Sequence, residues 1–136
     1  MAVDPGARRM GVALATPEVS LVAPLAVVPY EGCVKAAETI SQLADEHDVW
    51  LVVIGLPGTK DGDETPACRR SRVLAQQLTE SSRLEVRMHS ELLTTREARR
   101  RARELGRPPR QPVDDLAAQV LLEDFLSTDF GAARNP

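Results

Sequence analysis

Three carboxylates in this 136-residue chain stand where they could do chemistry: Asp4, Glu91 and Asp114. Asp4 follows the short apolar Met1-Ala2-Val3 and precedes Pro5-Gly6, so it ends a first strand at a turn. The same position also suits an aspartate that opens an Asx-type turn. Glu91 comes just after a stretch in which Leu84, Val86 and Met88 alternate with Glu85, Arg87 and His89, which puts it on the polar side of a period-two strand. The next helix has its own capping pair, Thr94 and Glu97 at Ser/Thr-x-x-Glu spacing. Glu91 is therefore spare. Asp114 opens the last helix, where Ala118, Leu121 and Phe125 project within about 40° of it at 100° per residue. Its carboxylate falls on the apolar stripe, while Asp115 lies about 100° away at the stripe's edge. Both also suit favourable anions in a first helical turn.

Strand-end and helix-start carboxylates that converge on one site repel one another, and their pKa values rise unless cations neutralise them. Oxygen-only ligation favours Mg²⁺ or Mn²⁺. Two such ions about 3.5–4 Å apart can activate a water and stabilise the leaving oxygen of a phosphodiester. Zinc is not expected, because the chain has no HExxH and neither Cys33 nor Cys68 has a partner at ligand spacing.

A polyanionic substrate needs a counter-surface. Arg96, Arg99, Arg100, Arg103 and Arg107 recur at i, i+3, i+4, i+7 and i+11, with Ala98, Ala102 and Leu105 opposite, and Arg110 continues the stripe. Arg101 points elsewhere, and Glu97 and Glu104 offset the charge in part. A solvated charged face is the alternative, but a stripe starting just beyond Glu91 favours phosphate contact. The shorter cluster Arg69, Arg70 and Arg72 reads as helix solubilisation.

The elements that must position these groups follow from apolar periodicity. Strands are predicted at Met1 to Val3, Met10 to Ala15 and Val19 to Val28, then a helix over Glu31 to His47. Trp50-Leu51-Val52-Val53-Ile54, bounded by Gly55, reads as a strand covered on both faces. A polar loop from Pro57 to Pro66, a helix from Ala67 to Ser82 and the alternating strand come next. Helices over Thr95 to Leu105 and Val113 to Leu126 flank the stiff, basic Gly106-Arg107-Pro108-Pro109-Arg110-Gln111-Pro112. This order implies one α/β domain over residues 1–136, a mixed sheet with helices packed on it.

Composition narrows the function classes. With 17 Lys+Arg against 20 Asp+Glu, the chain is no uniformly basic sleeve, and 43% hydrophobic residues suffice for a core. Aromatics at 3% are too few for a base-stacking platform, so phosphates must be the handle for any nucleic acid. No apolar run approaches the ~20 residues of a membrane span. With no leader of signal-peptide type and no paired cysteines, a reduced cytoplasm is expected.

Four segments together resemble the YqgF/RuvX family of bacterial nucleases, the RuvC-like branch of the RNase H fold. Val3-Asp4-Pro5-Gly6-Ala7-Arg8-Arg9-Met10-Gly11-Val12-Ala13 is similar to its opening Asp-x-Gly motif, and Val52-Val53-Ile54-Gly55-Leu56-Pro57 with Asp61-Gly62 to its Gly-Leu-Pro…Asp-Gly segment. Glu91-Leu92-Leu93-Thr94-Thr95 and Val113-Asp114-Asp115-Leu116-Ala117-Ala118 are similar to the third and fourth. The resemblance implies an RNase H-like, five-stranded mixed sheet flanked by helices. It implies that Asp4, Glu91 and Asp114 are the catalytic, metal-binding acids, with Asp115 at a variable position and so the weaker candidate. It also implies a Mg²⁺- or Mn²⁺-dependent nuclease, acting in maturation of the 5′ end of pre-16S rRNA or as a Holliday-junction resolvase.

The chain departs from the family pattern at three places. Ser90 and Leu92 flank Glu91 where the family reads Asp-Glu-Arg-Leu, which removes one charge of each sign beside the site. Gly58-Thr59-Lys60 replaces a Leu-Asn-Met-like stretch. Only three residues precede Asp4, so part of a strand edge is expected to be missing.

Two enzyme alternatives meet obstacles. Val12 stands where a phosphate-loop lysine would be, which excludes a Walker-type NTPase. The actin-like ATPases share the sheet and an Asp-x-Gly loop but need two domains. A non-catalytic rRNA-binding assembly factor is the third alternative, supported by Ser90 and Leu92 and opposed by the three acids. The expected partners are structured RNA, as pre-rRNA, or branched DNA, and no membrane. A resolvase would pair two active sites as a homodimer, whereas an rRNA processor could act as a monomer.

Overall fold

Alternation along the strands decides which helices cover which face. The computed structural model describes residues 1–16, 21–58, 62–91 and 94–130. Five strands, β1 (Ala2–Pro5), β2 (Arg9–Thr16), β3 (Leu21–Pro29), β4 (Leu51–Pro57) and β5 (Glu85–Glu91), form one sheet in the order β3-β2-β1-β4-β5. The first three run antiparallel, with the Gly6 N–H donating to the Arg9 carbonyl at 2.7 Å to close the first turn. Strands β1, β4 and β5 are parallel. Parallel neighbours need crossovers, supplied by α1 (Cys33–Glu46) and α2 (Pro66–Ser81).

Val3, Met10, Val12, Val52 and Ile54 point to one face and pack with Ile40 of α1 and Leu74 and Leu78 of α2. Their neighbours Ala2, Ala13 and Val53 point to the other, against Leu121, Leu122 and Phe125 of α4 (Asp114–Phe125). The helix α3 (Thr94–Glu104) docks on α4 instead of the sheet, through Ala98 and Ala102 against Leu116 and Ala117. A π-helical turn, Leu126–Phe130, ends the described chain.

The predicted elements are all present, with ends shifted by one to three residues. One placement is corrected. Trp50 precedes β4 and is 59% exposed, because the strand starts at Leu51 and only its central residues Val52–Gly55 are buried. Val19, Asp61, Leu92, Leu93 and the side chain of Thr94, on which parts of the third strand, two motifs and the capping pair were expected, lie outside the described residues.

Candidate active site

The parallel strands β1 and β5 end at the same edge of the sheet, and they carry Asp4 and Glu91. Both side chains belong to the face covered by α4, since Asp4 is two residues from Ala2 and Glu91 two from His89, whose ring meets Phe125 edge-on. Strand β4 lies between them, and Glu91 crosses it over Gly55. A Cβ on Gly55 would stand 2.7 Å from both Cδ and Oε1 of Glu91. Only glycine leaves that passage open.

Asp114 arrives by a second close approach. Gly11 is the register partner of Asp4 across β1 and β2. A Cβ there would lie 1.8 Å from the Asp114 carbonyl oxygen and 2.6 Å from the Asp115 nitrogen, so the first turn of α4 rests on bare backbone. The two glycines thus bring three carboxyl groups, 87 and 23 residues apart in sequence (4 to 91, 91 to 114), to one place.

Their electrostatics are those of acids pressed together. Burial, and then the charge of Asp4, push Glu91 up to about 9. Burial also raises Asp4, the nearby Asp114 adds to the rise, and a hydrogen bond with Glu91 opposes it. With both groups ionised, no donor reaches the buried Glu91 Oε1. A proton shared with Asp4, or a cation, must satisfy it. That unmet oxygen and the all-oxygen donor set fit a hard divalent ion. Among the described residues no three acidic, His or Cys side chains are grouped closely enough to hold one ion together. Asp114 is drawn aside, its Oδ2 accepting from Arg9 Nε at 3.1 Å.

Asp115 has a different task. Arg107 grips it with two hydrogen bonds of 2.9 and 3.0 Å, and its Oδ1 also accepts from the Leu116 N–H at 3.0 Å. The Asp4 side chain plays no part in the turn that follows it, which is closed by backbone.

Carboxylates divide the six arginines of the stripe. Arg100 pairs with Glu97 and Glu104, and Arg107 pairs with Asp115. Arg101, off the stripe, bridges Glu97 to Glu123 of α4. Arg99, Arg103 and Arg110 carry no ion pair among the described residues and line one cleft together with Arg9 and Asp114. Arg96 is exposed and has no ion pair among the described residues, and it stands outside that lining.

Sequence reasoning assigned no role to Arg9, to Gly55 as a passage or to the Arg107–Asp115 pair. A glycine inside the apolar run Val52-Val53-Ile54-Gly55 was the available signal, since it marks close approach of another group. The two arginine contacts leave no local pattern.

A family profile described as RuvX, Holliday junction resolvase, matches residues 1–128. A protein of Chloroflexus aggregans, provisionally named a pre-16S rRNA nuclease, is 33% identical over 139 aligned positions covering 100% of this chain and 95% of its own. One of Rhodopirellula baltica with the same provisional name is 38% identical over 127, covering 91% and 73%. Among solved structures, Thermus thermophilus RuvC in complex with a Holliday junction superposes with a TM-score of 0.58 at 10% identity, covering 98% of this chain and 94% of that one. The fowlpox virus Holliday junction resolvase gives 0.53 at 10% identity, covering 93% and 95%. At such identities these structures establish a shared RNase H-like fold.

Proposed function

The chain belongs to the RuvX family, and we propose that it is a divalent-metal-dependent nuclease that hydrolyses phosphodiester bonds in structured RNA, maturing the 5′ end of pre-16S rRNA in the cytoplasm. The observation that carries this reading is the meeting of Asp4, Glu91 and Asp114 at one sheet edge, with a buried carboxyl oxygen that has no donor. Its relatives' provisional names supply the substrate.

Asp4 and Glu91 would hold Mg²⁺ or Mn²⁺, and Asp114 would join them on leaving Arg9, since the three are not grouped closely enough as they stand. Such an ion supplies Lewis-acid stabilisation of developing charge and a water made acidic enough to attack. The chain's own residues prepare the place. Burial favours the protonated form of Glu91 near neutral pH, and its unmet oxygen would serve as a ligand to a bound cation. Arg9 neutralises Asp114 and stands beside the acids, where its guanidinium can turn to a phosphate oxygen. Gly11 lets the backbone of Asp114 approach β2, and Gly55 leaves room for the Glu91 carboxyl over β4.

A second reading, resolution of four-way DNA junctions, is favoured by the family's description and the named substrate of the RuvC neighbour. Cleavage of a labelled structured RNA and a labelled four-way DNA junction with Mg²⁺ or Mn²⁺, by wild type and Asp4→Asn, tests both. The expected result is cation-dependent cutting of the RNA by wild type only. Preference for the junction selects the second reading, and equal activity of the two proteins overturns the catalytic assignment.

A further inference from the structure

The cleft beside the acids has a volume of about 630 Å³, and its two walls are chemically different. One is the face of α3 that carries Arg99 and Arg103. The other is the segment from Pro108 to Val113, which contributes three proline rings and Arg110. Asp114 and Arg9 also line it, so the cleft reaches the candidate active site at Asp114.

Carboxylates sort the arginines so that the charge inside the cleft remains unmet. Glu97, Glu104, Asp115 and Glu123 take Arg100, Arg101 and Arg107, leaving Arg99, Arg103 and Arg110 for an incoming anion.

The proline wall is held in place. Arg107 grips Asp115 and also donates to the Pro112 carbonyl at 3.3 Å, and the Gln111 N–H donates to the Pro108 carbonyl at 3.0 Å. Proline fixes its own φ, so little freedom remains to be lost on binding.

Two guanidiniums on the α3 wall and that of Arg110 on the other suit successive phosphates, and the proline rings suit the apolar faces of sugars and bases. Among the described residues no aromatic ring lines the cleft, so they offer no platform for base stacking. Its volume is of the size that encloses a small ligand. A duplex, whose major groove alone is about 12 Å wide, is too bulky to enter, whereas one strand with its bases unpaired can.

We propose that this cleft binds a short unpaired strand contiguous with the scissile phosphate, so that the enzyme cuts where paired nucleic acid gives way to single strand. The proposal rests on the nuclease reading for the identity of the neighbouring site. Its test does not require cleavage.

The experiment measures binding of a labelled RNA hairpin, blunt or with a short single-stranded extension, to Asp4→Asn protein by fluorescence anisotropy across a salt series. The extended hairpin is expected to bind about tenfold tighter. Adding Arg99→Ala and Arg103→Ala should remove that preference and lower the salt slope by about one unit per arginine. Arg100→Ala should change neither. Equal binding of the two hairpins, or a preference that survives the double substitution, overturns the proposal even if wild type cleaves RNA. An arginine-dependent preference in a protein whose wild type cleaves nothing upholds the cleft and removes the nuclease reading instead.

Discussion

The carboxyl group of Glu91 lies over Gly55 at a distance that no side chain on that residue could share, with the position of a Cβ 2.7 Å from Oε1. This contact aims a residue at the end of β5 across β4 toward Asp4. Gly55→Ala is therefore expected to push the Glu91 carboxyl away at little cost in stability, because the atoms it meets are the far end of a side chain, while lowering cleavage at least tenfold. Cleavage rate and thermal melting of the variant check this; a folded protein with full activity would show that Glu91 need not cross there.

Glu91→Gln should stabilise the protein in metal-free buffer at neutral pH. A carboxyl whose folded-state pKa is raised contributes most at low pH, and that contribution is lost as pH rises from the unfolded value near 4.3 to the folded value of about 9. Glutamine carries no charge to bury and donates an N–H toward Asp4. Relative to wild type, the variant should gain about 1–3 kcal/mol, several degrees in melting temperature, between pH 5 and pH 9. Parallel melting curves at both pH values would contradict the burial argument.

Mn²⁺ or Mg²⁺ should raise the melting temperature of wild type by mass action on the folded state. Asp114→Asn should reduce that rise. Asp115→Asn should leave it intact while lowering stability by about 1–3 kcal/mol, because it breaks a charged, doubly hydrogen-bonded contact. A cation response lost in Asp115→Asn and kept in Asp114→Asn would reverse the assignment of the two aspartates.

Glu97 is held well below the usual carboxylate range by its hydrogen bonds to Arg100 and Arg101. For a depressed carboxyl the contribution is present above the unfolded pKa near 4.3 and lost as pH falls through the lower folded value. Glu97→Gln should weaken the docking of α3 on α4 at pH 7, and helicity by circular dichroism should converge with wild type in strong acid. A variant as helical as wild type at every pH would mean that Ala98 and Ala102 alone hold α3.

Periodicity in the sequence determined the elements and their faces, because the period of apolar residues reflects local backbone geometry that each segment carries with it. The alternation from Leu84 to Glu91 and the helical phase of Asp114 against Leu121 and Phe125 are of this kind, and they identified the three acids. Which carboxylates meet, and on what, depends on contacts between residues far apart in the chain. Two aspartates adjacent in sequence differ because Arg9, 105 residues away, takes one and Arg107 takes the other. The arginines divide between local sequence and tertiary structure: the helical repeat itself gives Arg100 its partners Glu97 and Glu104, whereas only the tertiary structure pairs Arg107 with Asp115 and gathers Arg99, Arg103 and Arg110 in one cleft.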